Sequence, residues 1–233
     1  MKSLFYNRKL VVSIFVILIV AATAFAFGPM VYSMFAGSGV KTEPVNADGT
    51  DAASTDVNGN WNIVHGPPDN HTSAGFTFDE ILPAERTTTS GSTNEVTGMV
   101  TVDAETLTDA EVTVNMTELS TDKQVRDQNM KSKLFETDKF PEATFKLTEP
   151  ADLSAVPDDG TMGTVELTGD LTIKGETNEI VLEFDVLRTG ENVVIGGNVP
   201  INRLDYGVES PELIAAEIDE HGYVDIRLFL EKN

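Results

Sequence analysis

Apolar and polar side chains alternate with a period of two, in one short run after another, through most of the chain beyond residue 73. Ala74-Gly75-Phe76-Thr77-Phe78 and Glu111-Val112-Thr113-Val114-Asn115-Met116 are clear cases. Val96, Gly98, Val100 and Val102 share one face, as do Leu167, Gly169, Leu171 and Ile173. Ile180, Leu182, Phe184 and Val186 repeat the pattern, followed by Val193, Ile195, Gly197, Val199 and Ile201, and last by Val224, Ile226, Leu228 and Leu230. Successive side chains of a strand point to opposite faces, so this spacing predicts antiparallel strands with one buried and one wet face. Turn residues fall between the runs: Asp158-Asp159-Gly160, Lys174-Gly175-Glu176-Thr177 and Thr189-Gly190-Glu191-Asn192. An all-β domain of about eight or nine strands follows. That number closes into a small antiparallel barrel, which removes exposed sheet edges and leaves an interior wide enough for side chains or one ligand. A two-sheet sandwich is the alternative. With no cysteine in the chain, the fold rests on its core alone, and thiolate metal sites and cysteine nucleophiles are excluded.

One segment interrupts the alternation. Between Ser120 and Lys139, Val125, Met130 and Leu134 lie near helical spacing, and Ser120 or Thr121 suits an N-cap. Phe140-Pro141 ends the excursion, because a residue before proline is pushed to extended geometry. A loop of this length is a frequent place for function.

The chain begins differently. Leu10 to Phe27 contains no charge, and Ser13 and Thr23 are its only polar side chains. Its helical length is roughly 27 Å, close to the ~30 Å hydrocarbon core of a bilayer. Lys2, Arg8 and Lys9 precede it, which places residues 1–9 in the cytoplasm and the rest outside. Ala24-Phe25-Ala26 resembles a signal-peptidase site, but apolar residues continue past it through Met30, Val31, Met34 and Phe35, so residues 10–35 read as a retained transmembrane anchor rather than a cleaved signal. Residues 36–60, rich in Gly, Ser, Thr, Asp and Ala, read as a flexible linker, and residues 61–233 as the folded domain.

The net charge is −22, and all 38 acidic side chains lie beyond residue 40. Such a surface repels phosphate backbones, which argues against a nucleic-acid partner, and it disfavours anionic headgroups. His65, His71 and His221 have no metal-ligand spacing, and no nucleophile elbow or phosphate-binding loop occurs. Nothing in the residues points to catalysis.

Four motifs in order carry a family resemblance. Arg126-Asp127-x-x-Met130 followed by Lys139-Phe140-Pro141-x-Ala143-Thr144-Phe145, then Leu171-Thr172-Ile173-x-Gly175-x-Thr177, then Asn202-Arg203-x-Asp205-Tyr206-Gly207, with Gly98 before them, resemble the YceI-like family of polyisoprenoid-binding, lipocalin-like proteins. The resemblance covers Trp61 to the end. It implies an exported lipocalin-like barrel whose apolar interior holds a quinone or polyprenyl lipid, with no other cofactor. The candidate ligand-binding residues are then Phe76, Phe78, Val112, Val114, Met116, Arg126, Asp127, Met130, Phe135, Phe140, Phe145, Leu171, Ile173, Leu182 and Phe184. Arg126 and Asp127 either form an ion pair or cap the helical excursion, or sit at the barrel mouth, where Arg126 meets a polar or phosphate headgroup. The family's usual His is replaced by Asn129, which cannot titrate near neutral pH. Its usual Leu is replaced by Met130, and Leu134-Phe135 stands in place of a Phe pair. The partners expected are the lipid and, through the N-terminal helix, a membrane, and a homodimer is compatible with the residues. Two other readings fit the same pattern: a barrel filled by its own side chains with a structural role, and an enzyme acting on an isoprenoid.

Overall fold

The computed structural model describes residues 8–35, 38–82, 85–210 and 217–233. Residues 1–7 of the expected basic tail, and residues 36–37 of the expected linker, lie outside the described residues.

Helix α1 (Arg8–Phe35) contains a stretch long and apolar enough to cross a membrane, and none of that stretch is buried against the rest of the chain. The domain that follows is all-β. Its strands are β1 (Gly59–Val64), β2 (Ser73–Leu82), β3 (Glu85–Thr93), β4 (Val96–Asp103), β5 (Thr106–Asn115), β6 (Glu142–Leu147), β7 (Ala151–Asp152), β8 (Met162–Ile173), β9 (Glu176–Thr189), β10 (Asn192–Asn202) and β11 (Glu217–Lys232). Eight of them close a ring in the order β1-β4-β5-β6-β8-β9-β10-β11 and back to β1, every pair antiparallel. The barrel rather than the sandwich is therefore the fold. The hairpin β2–β3 extends the wall: β11 pairs with β1 from Phe229 to Lys232 and with β2 from Glu217 to Arg227. Thr72 bridges the break between β1 and β2, its hydroxyl donating to the Val64 carbonyl and accepting from the Phe229 amide. Two tight turns have positive φ at both central residues, Ala104-Glu105 at 48° and 59° and Lys174-Gly175 at 51° and 83°. That backbone twist matches the strands it joins.

The helical excursion is present but shorter than its spacing suggests. Helix α2 (Gln124–Asn129) runs into a π turn over Met130–Leu134, where the Phe135 amide reaches the Met130 carbonyl at 3.0 Å. The wider turn changes which side chains face inward. Val125, one of the three residues read at helical spacing, is 73% exposed, whereas Met130 is 2% exposed and Phe135 is buried.

The stretch read as a flexible linker departs most from expectation. Residues 38–58 lie along the outer wall as a strap. The Ser90 amide donates to the Ser38 carbonyl and the Val40 amide to the Ser90 carbonyl, at 2.8 and 3.2 Å. Further along, the Thr42 hydroxyl bonds Ser73, and Asn46 exchanges two hydrogen bonds of 2.8 Å with the Asn70 side chain. Thr50 reaches the Gly160 carbonyl, and the Ala53 and Ser54 amides reach Asp158 and Gly190. Val45 covers an outer apolar stripe of Leu187, Val194, Phe229 and Val64, which are direct cross-strand neighbours on β9, β10, β11 and β1. Leu187 and Val194 are both 0% exposed. Arg227, 3% exposed, fastens the strap: its guanidinium donates to the backbone carbonyls of Pro44, Asp69 and His71 and lies 3.1 Å from the His71 ring nitrogen.

Candidate functional site

Inward side chains of the eight ring strands form one core cluster, but they do not fill the barrel. A cavity of about 120 Å³ lies among them. That is room for on the order of ten waters, yet the lining offers almost no hydrogen-bonding group, so the space suits an apolar occupant better than water. A second, smaller cavity of about 40 Å³ adjoins it toward Trp61.

The sequence explains why the centre stays open. Four glycines face phenylalanine rings on neighbouring strands: Gly91 faces Phe76, Gly169 faces Phe145, Gly197 faces Phe184 and Gly222 faces Phe78. A Cβ built at any of the four would fall within 2.9 Å of the ring. Each ring thus lies over the bare backbone of its neighbour, an aromatic cover for a glycine gap.

Ten of the expected residues line the large cavity: Phe76, Phe78, Val112, Val114, Met116, Phe135, Phe145, Leu171, Ile173 and Phe184. Five do not. Leu182 packs on the core from the wall, and Met130 is buried beneath the π turn. Phe140 lies against the β8–β9 turn, where a Cβ on Gly175 would meet its ring at 2.8 Å. Arg126 forms an ion pair with Asp122 at 2.9 Å. The Asp127 carboxylate accepts from both the amide and the hydroxyl of Thr121, at 2.6 and 2.7 Å. Arg126 thus pairs with Asp122 and not with Asp127, Lys123 rather than Ser120 or Thr121 stands at the N-cap of α2 with no side-chain capping hydrogen bond, and neither Arg126 nor Asp127 lines the cavity. Missed residues include Ile180, Ile195, Val199 and Ile226, whose parity in the alternating runs already pointed inward. Leu119 and Val208 stand on the turns after β5 and β10 and carried no such signal.

One end of the barrel is closed by two irregular segments. Met116 and Leu119, on and beside the short 3-10 turn Met116–Glu118, are buried there with Phe135, whose ring centroid is 5.5 Å from that of Phe76. The second segment is the 3-10 turn Arg203–Tyr206. Arg203 is the one charged side chain in the large cavity's lining, and its three nitrogens donate to the carbonyls of Asp219, Val208 and Ile218 at 3.1, 2.6 and 3.1 Å. It ties the turn to β11 and does not pair with Asp205. Tyr206 is also buried there. Burial pushes its phenol pKa up, a hydrogen bond with Asn178 opposes this, and the Asp205 charge adds to it. At the other end, the indole of Trp61 donates to the Val57 carbonyl at 2.8 Å, so the strap's last residues help close the base. Among the described residues, no group of three or more His, Asp or Glu side chains is placed to hold a metal ion.

The barrel matches solved structures. A polyisoprenoid binding domain from Saccharophagus degradans superposes with a TM-score of 0.55 at 21% identity, covering 70% of this chain and 98% of that one. BcnA of Burkholderia cenocepacia gives 0.54 at 20% identity, over 67% of this chain and 95% of its own. At these identities the likeness concerns the fold. In sequence, a UPF0312 protein of Photorhabdus laumondii is 33% identical over 118 residues, 50% of this chain and 46% of the relative. The YceI protein of Escherichia coli O157:H7 is 35% identical over 82 residues, 35% of this chain and 39% of the relative. The match to these curated relatives thus spans less than half of their length. The model of the YceI-like domain matches residues 61–229, which is the barrel from β1 into β11, and the chain belongs to the YceI-like family.

Proposed function

We propose that this protein binds a polyisoprenoid lipid, of the quinone or polyprenyl type, inside its barrel and holds it at the outer face of a cell membrane. The observation that carries the reading is the cavity: an apolar space in a closed barrel, lined mainly by Phe, Val, Leu and Ile, whose single guanidinium is committed to backbone carbonyls. An isoprenoid chain has no hydrogen-bonding groups and is methyl-branched, so its transfer into such a space is favourable by roughly 25 cal/mol per Å² of apolar surface buried. The polyisoprenoid binding domain of the same fold supports the choice of ligand. Action is passive: capture, shielding from water, and release. Helix α1 supplies the anchor, with the barrel outside.

The strap shortens the leash. Phe35 and Ser38 are three peptide steps apart, at most about 11 Å of chain. An anchored barrel therefore works at the membrane surface and does not reach far from it.

The test is to extract the full chain from its membranes in mild detergent and analyse the bound lipid by mass spectrometry. A prenyl lipid in near-stoichiometric amount is expected. Its absence, together with failure of added quinones or prenyl alcohols to bind, would leave the barrel a structural element of the envelope.

A further inference from the structure

The two cavities meet at a waist. Val100 of β4, Leu107 of β5, Leu167 of β8 and Ile195 of β10 line both the ~120 Å³ and the ~40 Å³ chamber. These strands lie around the ring rather than on one side of it, so the four side chains form a collar across the barrel axis. Val100, Leu107 and Leu167 are buried, and Ile195 packs against the core they belong to. Beyond the collar the small chamber is apolar except for Arg188 and ends on Trp61 and on Val57 of the strap. Trp61 is fixed there by its bond to the Val57 carbonyl, and Arg188 contacts the carbonyl of Thr55, so strap residues form the floor.

We infer that this collar measures isoprenoid chain length. The inference rests on the lipid-binding reading above and extends it. A short prenyl chain fills the large chamber and stops at the collar. A longer chain passes its tail between Val100, Leu107, Leu167 and Ile195 and comes to rest on Trp61. The collar side chains are aliphatic and have no polar group to reject such a tail, so selection is steric. A methyl-branched chain widens at every repeat, so passage depends on the volume at these four positions. The chain ends on a fixed indole, not in solvent, so the small chamber also limits the greatest length taken up.

The protein contains its own reporter, because Trp61 is the single tryptophan of the chain and lines only the small chamber. Full-length protein in phosphatidylcholine nanodiscs is titrated with geraniol, farnesol, geranylgeraniol and solanesol, each carrying a bromine at the tail end, which quenches tryptophan at contact. Binding itself is followed separately by native mass spectrometry. The expected result is binding without quenching for the shortest chain and quenching that sets in abruptly at one length. Leu167→Phe, which narrows the collar, lowers the long-to-short affinity ratio by about tenfold. Leu167→Ala widens it and brings quenching to a shorter chain. If every chain binds and quenching rises smoothly from the shortest, or never occurs, the collar selects nothing and the inference fails while lipid binding stands. If no chain binds at all, lipid binding itself fails. The wild-type length series needs no variant, so a misfolded Leu167→Phe protein does not rescue the inference.

Discussion

The open centre of this barrel depends on single atoms that are missing. At Gly197 a Cβ would come within 2.7 Å of Cδ1 of Phe184, a ring carbon in the buried wall that has little room to retreat. Gly197→Ala therefore drives the ring toward the barrel axis. Overpacking of this kind costs about 1–3 kcal/mol. We expect a lower urea midpoint and weaker prenyl-lipid binding from one substitution, and Phe184→Leu in the same chain to restore part of both. A Gly197→Ala protein with wild-type midpoint and wild-type binding would show that the rings do not keep the cavity open. The buried arginines follow a different logic. Among the described residues Arg227 forms no ion pair; its planar fork satisfies the carbonyls of Pro44 in the strap and of Asp69 and His71 in the loop between β1 and β2. Burial pushes its pKa down, partly opposed by the charge of Glu43. Arg227→Met leaves the Pro44, Asp69 and His71 carbonyls without this donor and is expected to cost about 2–4 kcal/mol in chemical denaturation. Arg227→Lys is expected to recover only part of that, since one ammonium does not reproduce the fork. Equal stability of the methionine variant and the wild type would overturn this account.

Among the elements, the strands of the closed ring were legible because period two survives in nearly every one of them. The strap was not. Residues 38–58 contribute hydrogen bonds and only two buried valines, Val45 on the outer stripe and Val57 at the barrel floor, and composition does not register either contribution. A signal did exist in the partner strands. Val186-Leu187, Val193-Val194 and Leu228-Phe229-Leu230 break the alternation with apolar neighbours, and a strand apolar on both faces must be covered on both. The cavity was legible only in part. Eight of the ten expected cavity residues follow from parity, whereas Phe135 and Phe145 entered through the family motif, and parity is the same in a hollow barrel and a filled one. The glycine–phenylalanine pairs that distinguish the two become visible once strand register is known. The excursion between β5 and β6 is fastened by charge. Glu136, just past the π turn, is paired with Lys139 and also with Lys174 of the β8–β9 turn at 3.1 Å. Its hydrogen bonds to Lys139 and then to Lys174 lower its pKa below the ordinary 4.5. A carboxylate depressed on folding stabilises the fold above its unfolded value and loses that contribution as pH falls through the folded value. Protection factors of the amides in residues 130–140, that is, exchange relative to the intrinsic rate at each pH, are therefore expected to fall below pH 4.5 in the wild type and already at neutral pH in Glu136→Gln. A Glu136→Gln protein whose exchange in this segment is unchanged at neutral pH would mean the clasp carries no load there.

At the scale of the whole molecule, the charge is the dominant property left unexplained by the fold. A net charge of −22 sits on a domain whose ion pairs include Arg126–Asp122 and the two lysines on Glu136. Most carboxylates therefore face solvent and one another. Self-repulsion of that size opposes the compact state, and salt screens it. Between ~0.01 M and ~0.15 M ionic strength the screening length falls from about 30 Å to about 8 Å, from longer than the distance across the barrel to shorter than it. Repulsion between carboxylates on opposite walls is then largely removed, while the buried contacts of Arg203 and Arg227 with carbonyls are little affected. The melting temperature, followed by circular dichroism, is expected to rise over this range and then to level off. Sodium chloride and potassium chloride should act alike, because the effect is screening and not ion binding. The same titration on a variant with several outer-face acids of β8 and β9 changed to their amides, such as Glu166→Gln with Glu183→Gln, should start higher and rise less. A melting temperature that falls with salt would mean that attraction, not repulsion, governs this surface, and that the acidic coat is held in ion pairs or bound cations instead of being free to repel.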